Sequence, residues 1–75
     1  MRTPAAEPYD RGWLVKARTL AGLTQKEAAK AAEISQSMYN YIEQGLKSPG
    51  IVPGLLLSQI LRFDPVNWLE ERRLA

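Results

Sequence analysis

GLTQKEAAKAAEISQSMYNYIEQG, residues 22–45, packs two helix starts between two glycines. Thr24 with Glu27 three residues on is a capping box, in which the hydroxyl and the carboxylate each satisfy an orphan backbone N–H. A helix therefore starts at Thr24 and runs to about Ala32, and its alanines let a neighbouring backbone come close. Only Glu33, Ile34 and Ser35 separate it from the next helix. Ser35 is a good N-cap for that helix, which ends near Gln44 with Gly45 after it. A turn this short forces the two helices to cross steeply. Met38, Tyr39 and Ile42 share the apolar side of the second one. The opposite side carries Gln36, Ser37, Asn40, Tyr41 and Gln44 and no lysine or arginine, although the chain holds ten basic residues against eight acidic ones.

The rest of the chain extends the helical pattern in both directions. A first helix over residues 10–21 is expected to bury Trp13, Leu14, Ala17 and Leu20 or Ala21, with Gly22 suited to a left-handed cap. After Gly45 the segment LKSPG is a loop. Pro53 fits the first turn of a fourth helix reaching Arg62 or Phe63. Asp64 followed by Pro65 is an N-cap with proline at the first helical position, opening a fifth helix through about Arg73. No alternating run is long enough to argue for a strand. The expectation is an all-α, compact five-helix domain over residues 10–75, preceded by a flexible N-terminal arm over residues 1–9.

Seventy-five residues, 45% hydrophobic, make one small core and leave no room for a deep substrate cavity. Cysteine and histidine are both absent, which removes disulfides, thiolate metal sites and the commonest acid–base and nucleophilic groups. The eight carboxylates show neither ligand spacing nor a glycine-rich phosphate loop beside them. No catalytic constellation, metal site or cofactor is expected, and no small-molecule ligand is evident. The longest apolar run, residues 50–57, contains a proline and two glycines, and it falls well short of the ~20 residues a membrane span requires. Nothing in MRTPAAEPYDRGW looks like a signal peptide. A cytoplasmic protein without a membrane partner is the reading, and a net charge of +2 gives only a mild bias toward acidic partners.

Residues 14–49 resemble the helix-turn-helix of the Cro/CI repressor type, the XRE-like family of phage and bacterial regulators. The resemblance is carried by G-L-T-Q at Gly22 to Gln25, the small Ala29 at the helix crossing, I-S at Ile34 and Ser35, and I-E-x-G at Ile42 to Gly45. Two positions depart from the family pattern. Glu33 stands where the turn often has glycine, at a cost of ~1 kcal/mol if the residue is left-handed. Ala28 stands where leucine is usual, so that Trp13 or Tyr39 is expected to fill the core beside it.

In such a motif the second helix lies in the DNA major groove and presents its N-terminal residues to base edges. The resemblance thus makes Gln36, Ser37, Asn40 and Tyr41 the base readers of double-stranded DNA. Amides pair with adenine N6 and N7, and an aromatic ring packs on a thymine methyl, which predicts A·T steps in each half-site. The family pattern implies backbone phosphate contacts from Gln25, Lys47 and Ser48, with Gln44 where the helix leaves the groove. It also implies a partly buried structural salt bridge between Arg18 and Glu43. Lys26, Lys30, Arg62, Arg72 and Arg73 read more simply as solvated or helix-end charges.

A homodimer, at least on DNA, is the usual companion of this motif, because two copies read a pseudo-palindrome. Val66, Trp68, Leu69 and Leu74 are candidates for the dimer surface, while Trp68 and Leu69 can equally close the core. The expected function is a sequence-specific transcriptional regulator, a repressor that occludes a promoter. The competing reading is a protein-interaction module on the same scaffold, with a toxin or another regulator as partner and little specific DNA binding.

Overall fold

A computed structural model describes residues 9–74, with side chains as far as Glu71. Five helices follow one another: α1 Gly12–Leu20, α2 Gln25–Ala31, α3 Gln36–Glu43, α4 Ile51–Leu61 and α5 Val66–Leu74. No strand occurs among the described residues. Apart from Tyr9, the expected arm lies outside them. Tyr9 itself is fastened, since its backbone N–H donates to Gly45 O at 3.2 Å.

The helix starts follow the caps read from the sequence. Thr24 Oγ1 accepts from Glu27 N at 3.1 Å while Glu27 Oε1 accepts from Thr24 N at 2.8 Å, closing the capping box. Ser35 Oγ accepts from Met38 N at 3.1 Å. Asp64 Oδ1 accepts from Val66 N at 3.0 Å, so α5 begins one residue after Pro65. Asp10 Oδ1 accepts from Gly12 N, and α1 starts at Gly12 rather than at Asp10.

The helix ends share one solution. After each of α1 to α4 a single residue turns left-handed, and the residue beyond it donates its N–H back five positions. The four left-handed residues are Gly22, Glu33, Gly45 and Arg62, with φ of 75°, 62°, 79° and 60°. The residues that follow, Leu23, Ile34, Leu46 and Phe63, are all apolar. Three of these, Leu23, Ile34 and Phe63, pack against the core. Glu33 therefore takes the left-handed turn despite its Cβ. Arg62 does the same, although nothing in its residue type announces it.

The core is assembled from Leu14 of α1, Ala28, Ala29 and Ala32 in and after α2, Tyr39 and Ile42 of α3, and Leu57 and Leu61 of α4. The alanines present almost no bulk, so α2 packs closely on both α3 and α4. Tyr39 is the largest fully buried side chain and supplies volume that Ala28 does not. Trp13 serves elsewhere. It meets Phe63 and Trp68 edge to face, with ring centroids 5.0 Å from each, and so docks α5. The helical period admits Leu20 or Ala21 as the last buried position of α1, but both are exposed, Leu20 at 79%. The chain reverses at Gly22, and Leu23, its N–H on Arg18 O, turns inward in their place.

Candidate nucleic-acid interface

α2, the turn at Glu33 and α3 form a helix-turn-helix, and the faces of α3 are sharply divided. Tyr39, Ile42 and Glu43 are buried and Met38 is half-buried. Gln36, Ser37, Tyr41 and Gln44 are exposed, and Asn40 lies at the boundary between the two.

Glu43 is the hinge of the arrangement. Its carboxylate accepts from Arg18 Nε of α1 at 2.6 Å, from Gln25 Nε2 of α2 at 2.8 Å and from the Tyr39 hydroxyl at 2.8 Å. Burial pushes the Glu43 carboxyl up, but the hydrogen bonds from Arg18, Gln25 and Tyr39 outweigh it and hold the group below the ordinary carboxylate range. The same contact with Glu43 raises Arg18, against burial. Burial first, and then the hydrogen bond to Glu43, push the Tyr39 hydroxyl well above its usual value. All three groups keep their charge states at neutral pH, so α3 is locked to α1 and α2 by a saturated carboxylate.

Gln25 connects this lock to the outer face. Its Nε2 also reaches Asn40 Oδ1 at 3.4 Å, a long bond that orients the Asn40 amide. With that nitrogen directed at Glu43 and Asn40, Gln25 braces α3 from behind. A phosphate oxygen accepts and never donates, so a side-chain phosphate contact from Gln25 requires the amide to turn outward.

The loop after α3 carries Lys47 and Ser48, both exposed. Lys47 Nζ stands 5.5 Å from the centre of the Tyr41 ring, at the edge of the polar face of α3. The loop is held from beneath by Arg11, a residue absent from the sequence expectations. Arg11 is 2% exposed. Its Nε lies 2.7 and 2.9 Å from the two carboxylate oxygens of Glu71 in α5, and its Nη1 donates to Ile42 O at 2.7 Å and to Lys47 O at 3.4 Å. The Nη2 pairs with Glu71 Oε1 at 2.5 Å and reaches Ser48 Oγ at 3.5 Å. The rings of Tyr9 and Trp68 lie 5.2 and 5.1 Å from the guanidinium carbon. Helical spacing does signal it, since Arg11, Leu14 and Arg18 fall on one face of α1.

The candidate dimer residues separate. Trp68 turns inward, packing on Trp13 and Phe63 and donating its indole N–H to Gly54 O at 3.2 Å. Val66 and Leu69 stay 42% and 59% exposed. Leu69 lines, with the exposed Ile51 and Leu55, an open apolar groove of about 420 Å³ between α4 and α5, and Val52 is exposed as well. The Leu74 side chain lies outside the described residues.

The profile of the helix-turn-helix family matches residues 14–66, and the chain belongs to that family, as a member of its XRE type. One relative is the uncharacterized HTH-type transcriptional regulator YqaF of Bacillus subtilis (strain 168), 38% identical over 61 residues, which cover 81% of this chain and 80% of the relative. Among solved structures, the restriction-modification controller protein C.AhdI from Aeromonas hydrophila superposes with a TM-score of 0.67 at 26% identity, covering 77% of this chain and 88% of its own. No helix among the described residues is long and apolar enough to cross a membrane.

Proposed function

We propose that the protein is a repressor that binds double-stranded DNA as a homodimer and occludes a promoter by reading operator half-sites. The observation that carries this reading is the division of α3. Its inner face is fixed by Glu43 to two other helices, which leaves Gln36, Ser37, Asn40 and Tyr41 as a firmly presented outer face. Reading a base edge requires polar groups held at fixed positions, whereas a merely solvated helix has no need of such bracing. Lys47, Ser48 and Gln44 border that face and supply the phosphate contacts, with Gln25 positioning Asn40. The regulator and controller named among the similar proteins support the class. Val66 and Leu69 provide the self-contact that places two copies of α3 a helical turn of DNA apart.

The test is to sequence duplexes retained by the purified protein from a random pool at physiological salt. A palindrome with A·T steps in each half is the expected result. A folded protein that enriches no motif points instead to a protein-binding module, for which the apolar groove between α4 and α5 is the docking surface to examine.

A further inference from the structure

We propose that Arg11 is a positioning residue for DNA binding, which holds residues 46–49 so that Lys47 and Ser48 face the phosphate backbone. The inference rests on the DNA-binding reading above and adds a residue that touches no DNA.

Both backbone polar groups of Lys47 have partners, each through a long bond. Its N–H donates to Tyr41 O at 3.4 Å, and its carbonyl accepts from Arg11 Nη1 at the same distance. That double hold sets the direction in which the Lys47 side chain leaves the loop. Ser48 is constrained by polarity. A guanidinium only donates, so Ser48 Oγ accepts from Arg11, and the hydroxyl hydrogen remains for an acceptor such as a phosphate oxygen. The anchor for both contacts is Glu71, sixty positions away in α5, whose carboxylate orients the guanidinium through Nε and Nη2 together. Arg11 also donates to Ile42 O in the last turn of α3. One planar fork thus fixes the end of the reading helix and the loop that follows it. Lysine, a single point of charge, cannot span these four partners.

The test uses Arg11→Lys, which keeps the charge and removes the fork. Amide hydrogen exchange of the free protein is compared with DNA affinity measured over a range of salt concentrations. The expected result is faster exchange in residues 46–48 with α1 to α3 still protected. Affinity falls several-fold, and the salt slope shrinks by about one, the amount that a single lost phosphate contact produces. Base preference is retained. Lys47→Ala gives the same change in slope, and the double variant changes the slope no more than Lys47→Ala alone, because both remove the same charged contact.

An unchanged slope in Arg11→Lys, or additive changes of slope in the double variant, would overturn the proposal and leave Arg11 a stabilising residue only. Should Arg11→Lys fail to fold, Glu71→Gln, which sets an amide N–H against one of the two guanidinium nitrogens that the carboxylate now holds, is read in the same way. If the parent protein binds DNA with no salt dependence, the DNA-binding reading itself falls and the role assigned to Arg11 falls with it. The exchange data then distinguish that outcome, since they report the loop without DNA.

Discussion

Arg18 of α1 and Glu43 of α3 meet at 2.6 Å with their side chains 17% and 5% exposed, twenty-five positions apart in the chain. The pair is buried enough that removing one partner strands the other. Glu43→Gln keeps the shape of the side chain and leaves Arg18 without its counter-charge. The expected loss is about 3 kcal/mol, the lower end of the range for breaking a buried pair. Urea denaturation measures it, and a midpoint equal to the parent's would contradict the lock described for α3.

The same carboxylate predicts the acid limb of stability. Burial opposes ionisation of Glu43, but the bonds from Arg18, Gln25 and Tyr39 win, so its folded value lies below the unfolded one. The unfolded chain therefore takes up the proton first as pH falls. The stabilisation is complete above the unfolded carboxylate value of about 4.3 and is lost as pH drops through the lower folded value. Melting temperature should hold steady near neutral pH and decline below about pH 4, and part of that decline should be missing in Glu43→Gln. Tyr39 gives the mirror case. Its folded value is raised, by burial first, so its contribution is present below about pH 10 and is lost above it.

What the sequence made legible was local. Thr24 with Glu27, Ser35, and the glycines at 22 and 45 each signal their role within a few residues, and α1 to α3 follow from them. The left-handed turn at Arg62 had no such signal, because its cause is the packing of Phe63 on Trp13 and Trp68. The division between Trp68 and Leu69 was open for a related reason. Both are apolar neighbours, and only the tertiary position of Trp13 and the Gly54 carbonyl decides which turns inward. Spacing puts Arg11 on one face with Leu14 and Arg18, but its partner Glu71 stands beyond any spacing rule. For the candidate site, the outer face of α3 was legible from periodicity and the Arg18–Glu43 pair from the family resemblance, whereas the bonds from Gln25 and Tyr39 to the same carboxylate needed the helices together.

The two kinds of left-handed turn make a stability prediction. Glu33 carries a Cβ at φ 62°, so Glu33→Gly should raise stability by up to about 1 kcal/mol. Gly22→Ala should cost about as much, since a Cβ there meets nothing within 4 Å and pays only the backbone strain. Gly45→Ala should cost distinctly more. Its Cβ would run into the backbone of Tyr9, whose N–H is bonded to Gly45 O. Thermal melts of the three variants give the order, and equal losses at positions 22 and 45 would refute the close approach of Tyr9.

Base reading and phosphate contact should separate by substitution. Asn40→Ala removes an amide oriented by Gln25, and it should cost about 1–3 kcal/mol on the selected operator while relaxing preference at one position of each half-site. Lys47→Ala should weaken all duplexes alike. Titrations on the operator and on single-base variants of it distinguish the two patterns. Uniform weakening by Asn40→Ala would remove Asn40 from the base readers.

The last prediction concerns self-association, and it depends on the contrast between adjacent residues of α5. Leu69 is 59% exposed and Trp68 is packed between Trp13 and Phe63. A charge at position 69 therefore meets solvent in the monomer and is buried only where a second copy covers α5. Leu69→Glu should melt within about 0.5 kcal/mol of the parent, as surface changes do. It should sediment as a monomer at concentrations where the parent is a dimer. Binding to the full palindrome should weaken while the half-site preference persists. Trp68→Ala should instead lose about 3 kcal/mol of stability. If Leu69→Glu sediments like the parent and binds the palindrome equally well, the self-contact does not lie on this face of α5.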